Sequence, residues 1–443
     1  MNPKPIVAVV GRPNVGKSTF FNKVCGRRIS IVKDVPGVTR DRIFADAEWC
    51  GYNFTLIDTG GIELKSADEM FGHILRQARI AIDTADVILF FVDGKEGLVA
   101  SDYDAAGLLR GAKKPVKVVV NKLDNFETER CYDFYALGLG EPIPLSCEQG
   151  KGIGDLLDEV VKSFPRVEPG EDSDALKIAL VGKPNAGKSS LVNRLLGFER
   201  VIVGDAPGTT RDAVDTPFEF DGKKYILIDT AGMRRRRSVE EESVESYGIM
   251  RSVAALRRAD VVLTVMSADE EISQQDIRIA GLADGEGKCG LVIMNKWDLI
   301  EKDAFTIEKY ERKLKADLAF MSYYKSVFVS AKTGLRIEKI LKLCCEVYQN
   351  ASRRVSTGTL NGVIADAVAM NEPPSRSGRR LKILYATQPE TNPPKFVFFV
   401  NDENLVHFSY KRYLENELRK AFDFSGTPIR LIFNSRKEER IGL

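Results

Sequence analysis

An eight-residue pattern occurs twice in this 443-residue chain, 171 positions apart, and no other feature limits the fold as strongly. Gly11-Arg12-Pro13-Asn14-Val15-Gly16-Lys17-Ser18 is matched by Gly182-Lys183-Pro184-Asn185-Ala186-Gly187-Lys188-Ser189. The spacing G-x-x-x-x-G-K-[ST] lets successive backbone N–H groups surround one anion, while its Lys reaches the outer phosphates and its Ser hydroxyl serves Mg²⁺. Each copy follows a short apolar run, Ile6–Val10 or Ile178–Val181, and leads through Thr19 or Ser190 into a helical pattern. The chain therefore reads as two nucleotide-binding domains in series.

The later motifs keep nearly the same offset. Thr39 and Thr210, and Asp58 and Asp229, are also 171 apart; Asn121 and Asn295 are 174 apart. Strand-like runs Asn53–Ile57, Val87–Val92 and Val116–Val120 are answered by Tyr225–Ile228, Val261–Val265 and Gly290–Met294. Their alternation with helical segments such as Lys17–Val24 and Gly154–Phe164 predicts α/β domains with mostly parallel sheets and ligands at the strands' carboxyl ends. The expected organisation is a first domain at 1–165, an acidic linker at 166–174, a second domain at 175–350 and a small α+β domain at 351–443. In that tail the pattern reads helix (Leu360–Met370), strand (Leu381–Thr387), strand (Lys395–Asn401), helix (Ser409–Phe422), strand (Ile429–Asn434).

Composition excludes several alternatives. The seven Cys show no C-x-x-C spacing and are odd in number, which reads as reduced thiols and a cytoplasmic setting. Two His exclude a His-rich metal site. The run Ile6–Val10 is too short for a signal peptide, and Val87–Val92 falls far below the ~18 residues a membrane span needs. Net charge is only +2, so charge distribution rather than total charge has to indicate partners.

The remaining motifs identify the nucleotide. Asp58-Thr59-Gly60-Gly61 and Asp229-Thr230-Ala231-Gly232 offer an Asp for the Mg²⁺ shell and a Gly N–H for the γ-phosphate. Upstream, Thr39 and Thr210 each offer a hydroxyl to Mg²⁺, joining Ser18 and Ser189. These segments have the character of switches ordered by γ-phosphate. In Asn121-Lys122-Leu123-Asp124 and Asn295-Lys296-Trp297-Asp298 the Asp can accept two hydrogen bonds from guanine's ring N–H and exocyclic amine, an arrangement adenine lacks. Ser146-Cys147 and Ser330-Ala331-Lys332 stand where a backbone N–H could meet guanine O6. The chemistry therefore falls to Lys17, Thr39 and Gly61 in one copy and Lys188, Thr210 and Gly232 in the other. The Gln that many GTPases use to orient water is replaced by Ile62 and Met233. Arg12, Arg40 and Arg211 are read as structural rather than as arginine fingers. Asn14 and Asn185 could help hold a charge-supplying K⁺, or could simply brace their loops.

At this point the segments GRPNVGKST and GKPNAGKSS, PGVTRDR and PGTTRDAVDT, DTGG and DTAGMR, NKLD and NKWD resemble the Der (EngA) family. So does the tail, with ADAVAMNEPP, LKILYATQ, FVFFVND and HFSYKRYLEN. The resemblance covers essentially the whole chain. It implies a bacterial GTPase acting in assembly of the large (50S) ribosomal subunit, monomeric, with two Ras-like G domains and a KH-like domain lying between them. It also implies slow, K⁺-stimulated hydrolysis, with Asn14 and Asn185 as K⁺ ligands and a hydrophobic residue in place of the catalytic Gln. An alternative is a GTP-gated binding module in which only one G domain hydrolyses and the other is a sensor. A tRNA-modifying GTPase would need a further catalytic domain, which the tail, without Cys or metal pattern, does not offer.

Three departures accompany the resemblance. The linker is short. The second copy reads Ser267-Ala268-Asp269 where the first has Asp93-Gly94. Lys183 and Ala186 replace Arg12 and Val15. The tail also lacks the G-x-x-G that ordinary KH domains use as a clamp, leaving two basic clusters, Arg234, Arg235, Arg236, Arg237 and Arg376, Arg379, Arg380, as candidates for ribosomal RNA.

Overall fold

The structure is a computed structural model, and it describes residues 4–25, 44–58, 70–124, 128–164, 175–197, 201–203, 215–228, 252–321, 323–373, 375–376 and 379–435. By contacts the chain divides into two compact units, Met1–Ser173 with Val239–Arg257 and Asp174–Ser238 with Arg258–Leu443.

The first sheet contains β1 (Ile6–Gly11), β2 (Phe44–Trp49), β3 (Tyr52–Asp58), β4 (Val87–Asp93), β5 (Val116–Asn121) and β6 (Ile143–Pro144) in the order β2-β3-β1-β4-β5-β6. All its pairings are parallel except β2 with β3. Helices α1 (Lys17–Cys25), α2 (Met70–Thr84), α3 (Ala100–Arg110) and α4 (Ile153–Lys162) connect the strands. Strands β1 and β4 are buried along their whole length, as continuous apolar runs covered on both faces should be. One core carries Val10, Phe90 and Leu109, the other Val9, Phe20 and Leu156. Strand order reverses beside β1, so the crevice at the strands' carboxyl ends opens where the phosphate loop leaves the sheet.

The second unit repeats this frame with β7 (Leu176–Val181), β8 (Val201–Val203), β9 (Thr216–Phe220), β10 (Lys223–Ile228), β11 (Val261–Ser267), β12 (Cys289–Asn295) and β13 (Lys325–Phe328). Their order is β13-β12-β11-β7-β10-β9-β8, with β9 antiparallel to both β10 and β8. Helices α5 (Lys188–Leu196), α6 (Gln274–Gly285), α7 (Thr306–Asp317) and α8 (Ile337–Ala351) belong to it.

The antiparallel arms β2, β8 and β9 escape the sequence pattern. Ala, Asp and Glu in Phe44–Trp49 are poor strand formers. Tertiary bonds fix that segment instead: Asp46 accepts from Thr55 Oγ1 at 2.9 Å and from Lys4 Nζ at 2.5 Å.

The tail folds into α9 (Thr357–Met370), β14 (Ser375–Arg376), β15 (Arg379–Arg380), β16 (Ile383–Glu390), β17 (Lys395–Val400), α10 (Phe408–Ala421) and β18 (Arg430–Ser435), the five expected elements with the short pair β14 and β15 added. β16 and β17 form a hairpin, and β18 returns parallel to β17 after α10. α9 and α10 close one face over Phe396, Phe398 and Phe424.

This tail belongs to the same unit as the second sheet, and backbone bonds join them. Gly426 N–H donates to Tyr323 O at 2.7 Å, and Gly290 N–H donates to Gly426 O at 2.8 Å. Asn350 Nδ2 donates to Ser425 O at 3.2 Å, and the Arg419 guanidinium lies 4.7 Å from the Tyr323 ring centre. Gly426 has φ +77°, and a Cβ there would lie 2.2 Å from Val347 Cγ1. Gly426→Ala should therefore cost about 1–3 kcal/mol. Thermal unfolding of the full chain should show a lower midpoint, with new protease cleavage between residues 350 and 357; an unchanged midpoint and cleavage pattern would contradict this docking.

Candidate functional site: two paired phosphate and base loops

The phosphate loops leave β1 and β7 and end at α1 and α5, so a helix N-terminus faces the loop interior, where anions are favoured. Lys17 Nζ donates to Gly11 O at 2.5 Å and Arg12 O at 2.6 Å; Lys188 Nζ donates to Gly182 O and Lys183 O, both at 2.6 Å. Each lysine is thus folded over its own loop. Burial lowers the Lys17 pKa to about 8, although the Asp58 carboxylate opposes the shift. Ser18 Oγ donates to Asp58 Oδ2 at 3.0 Å, which brings two oxygen donors suited to a hard cation together beside the loop. Thr19, Ser189 and Ser190 lie exposed in the first turns of α1 and α5.

Asn14 and Asn185 are exposed and adopt left-handed backbone, each with φ 64°. Asn tolerates that conformation better than other non-glycine residues. The loop turn alone therefore favours Asn at both positions, whatever the side chain binds.

Asn121 and Asn295 act differently from the rest of the base-loop motif. Asn121 Nδ2 donates to Val15 O at 2.7 Å, and its Oδ1 accepts from Cys147 N–H at 2.9 Å. Asn295 Nδ2 donates to Ala186 O at 3.0 Å, and its Oδ1 accepts from Ala331 N–H at 3.1 Å. Both side chains are 2% exposed. They are struts tying the base loop to the phosphate loop. Of the segments Ser146-Cys147 and Ser330-Ala331-Lys332, the Cys147 and Ala331 N–H groups donate to these struts. A Cβ on Gly16 or Gly187 would lie 2.1 Å from the strut nitrogen, which explains the second Gly of each loop.

The aspartates three positions on are held from the next loop: Ser146 Oγ donates to Asp124 Oδ1 at 3.0 Å and Ser330 Oγ to Asp298 Oδ1 at 2.5 Å. Lys122 and Lys296 both have left-handed backbone. Lys122 Nζ meets Asp93 Oδ2 at 2.5 Å. Burial would raise the Asp93 pKa, but Lys122 and the N–H groups of Glu96 and Lys95 outweigh it and hold the carboxyl below its ordinary value. The second copy has Ser267 at that position, and Lys296 turns to Asp269 at 3.3 Å instead. The carboxylate partner has moved two residues along the loop, a compensation invisible in the motif itself.

Arg12 is structural: Nε donates to Asp102 Oδ1 at 3.0 Å, Nη1 to Glu96 at 2.9 Å and Nη2 to Gly97 O at 3.4 Å. Lys183, in the same place, reaches Glu270 at 2.7 Å and Asp276 Oδ2 at 3.2 Å, but buried Asp276 Oδ1 has no hydrogen-bond partner among the described residues. Both cations reach both carboxylates of this corner; in the first copy the other Asp102 oxygen accepts from Val99 N–H at 3.2 Å, whereas in the second Ser273 N–H and Lys183 share Asp276 Oδ2.

Thr39, Arg40, Thr59, Gly60, Gly61, Ile62, Thr210, Arg211, Asp229, Thr230, Ala231, Gly232, Met233 and Arg234–Arg237 lie outside the described residues, as does the linker at 166–174. Lys332 is described and exposed. In the tail, Arg379 and Arg380 are exposed; Arg380 pairs with Glu372 and donates to Pro373 O at 3.3 Å, and of Arg376 only the backbone is described. Among the described residues no helix is long and apolar enough to cross a membrane.

The family model described as 50S ribosome-binding GTPase matches residues 6–122 and 177–296. The model for the KH-domain-like C-terminal part of EngA bacterial GTPase enzymes matches residues 354–434. GTPase Der of Clostridium kluyveri is 54% identical over 437 residues, 98% of this chain and 100% of that protein. GTPase Der of Clostridium perfringens is 56% identical over the same length and shares. Among solved structures, Era in complex with MgGDPNP and nucleotides 1506–1542 of 16S ribosomal RNA is 20% identical, covers 74% of this chain and 94% of its own, and has a TM-score of 0.31.

The buried lysine gives a direct test. Phosphate oxygens beside Lys17 should return its pKa toward the ordinary 10.5. Nucleotide binding at the first site then takes up a proton above pH 8. Affinity should be flat below about pH 8 and fall by up to about tenfold per unit above it. An NMR titration of Lys17 Cε in full-length protein should give a midpoint near 8 without nucleotide and a raised one with GDP. A midpoint at the ordinary value in both states would contradict the burial argument.

Proposed function

The chain belongs to the Der (EngA) family of GTPases, and from that premise we propose that it binds guanine nucleotide in both G domains, hydrolyses GTP slowly with the help of K⁺, and acts in maturation of the large (50S) ribosomal subunit. The observation that carries the nucleotide reading is the strut in each copy, which fixes an Asp carboxylate relative to a phosphate loop. In this reading Asp124 and Asp298 accept guanine's N1–H and N2–H. ATP is rejected because adenine would leave the carboxylate unpaired.

Lys17 and Lys188 neutralise the outer phosphates, and the loop N–H groups from Asn14 to Ser18 and from Asn185 to Ser189 cradle them. Ser18, Thr39 and Asp58, with Ser189, Thr210 and Asp229, would hold Mg²⁺; the 3.0 Å approach of Ser18 to Asp58 fits that role. Mg²⁺, when bound, supplies positive charge against the phosphate oxygens. The Gly61 and Gly232 N–H groups meet the γ-phosphate. Ile62 and Met233 cannot orient water through a side chain; Asn14 and Asn185 would help hold K⁺, which would supply charge that other GTPases take from an arginine.

The domain limits of this reading are 1–165, 166–174 as linker, 175–350 and 351–443. The protein works as a cytoplasmic monomer. Its RNA contacts come from Arg234–Arg237 after the second switch and from Arg376, Arg379 and Arg380 in the tail. The family model's description and the full-length likeness to GTPase Der support the ribosomal assignment.

Co-sedimentation with purified 30S and 50S subunits tests it, comparing a non-hydrolysable GTP analogue with GDP. Selective travel with 50S in the analogue, weakened steeply by salt, is expected. Failure to travel with 50S in either state, with both sites shown to be loaded, would contradict the ribosomal role. GTP turnover should rise when K⁺ replaces Na⁺ and lose that response in the Asn14→Ala, Asn185→Ala double variant; equal rates in both salts would contradict the K⁺ reading.

A further inference from the structure

The two base-recognition sites have opposite charges at one corresponding position. In the first, Lys95 Nζ lies 2.5 Å from Asp124 Oδ2, while Ser146 takes Oδ1 at 3.0 Å. In the second, Asp269 stands where Lys95 does in the first, 174 positions on, and serves Lys296 at 3.3 Å. Asp298 receives Ser330 at 2.5 Å, and among the described residues no cation is hydrogen-bonded or ion-paired to it. Ser330, with Lys332 and Lys302 at longer range, holds the Asp298 carboxyl below its ordinary value.

A guanine needs both oxygens of that carboxylate, one for N1–H and one for N2–H. Lys95 draws on the charge of one of them. We propose that Lys95 is a positioning residue that competes with guanine for Asp124, making the first site the weaker of the two for guanine nucleotides. The proposal rests on the reading of Asp124 as the guanine-recognising carboxylate. Lys95 is 59% exposed, so the competition is modest and sensitive to salt. The other groups facing Asp124 do not replace it: Lys151 Nζ donates to the Asp124 backbone carbonyl at 3.2 Å, and Lys122 is committed to Asp93.

The test uses the full-length chain carrying Lys188→Ala, so that only the first site reports, and titrates a fluorescent GDP analogue. Lys95→Met should tighten the first site about two- to fivefold at low salt, with the gain shrinking at high salt. Lys95→Arg should restore the original affinity. Equal or weaker binding in Lys95→Met at low salt would overturn the proposal, and so would a gain that salt does not diminish. Asp124→Asn in the same background separates this from failure of the underlying reading. Its amide can donate to the C2 carbonyl of xanthine and accept from N1–H, so preference should move from guanosine to xanthosine diphosphate. Absence of that switch would overturn both the reading of Asp124 and the role of Lys95.

Discussion

A buried asparagine amide holds each nucleotide site together. Asn121 connects Val15 O of the phosphate loop to Cys147 N–H of a third loop, and Asn295 repeats this with Ala186 and Ala331. Three loops from different strands are thereby locked by one side chain at the sheet's carboxyl edge. The bond also sets the sequence around it. Gly16 and Gly187 must lack a side chain, and an Asp three residues after the strut acquires a fixed place relative to the phosphate loop. A buried polar strut is worth keeping only when every partner is satisfied, as both copies achieve.

Much of this was legible in the sequence because it depends on backbone chemistry that admits few residue types. Buried parallel strands read as continuous apolar runs, and Ile6–Val10 and Val261–Val265 fall within β1 and β11. The tail's five elements were readable for the same reason, each having a strong period and clear breaks. The antiparallel arms were not, because Phe44–Trp49 is held by tertiary hydrogen bonds rather than by strand propensity. Asn121 was read together with its neighbours as base-reading because linear spacing cannot show which way an amide points. A left-handed backbone at Asn14 gives the loop its own need for Asn, a cause that residue type alone could not separate from cation binding.

Between the copies, the chemically essential positions are kept and the divergence falls on the residues beside them. The Gly-Lys-Ser ends and both struts are unchanged, while the charges one loop away have been exchanged. Arg12 becomes Lys183, and Asp276 Oδ1 has no hydrogen-bond partner among the described residues. Asp93 becomes Ser267, and Asp269 takes over its lysine. Two domains on one scaffold can therefore keep the same chemistry while differing in how firmly each base loop is held. In the second unit, backbone bonds from Gly426 to Tyr323 and Gly290 place the KH-like module against the sheet that carries one of the two sites.

The central claim is that one chain carries two complete guanine-nucleotide sites. Equilibrium dialysis of the full-length protein with labelled GDP, in the presence of Mg²⁺, tests it most directly. The account predicts two GDP per chain, one in either Lys17→Ala or Lys188→Ala, and no displacement by excess ATP. A single GDP per chain in the unaltered protein, or displacement by ATP, would contradict it.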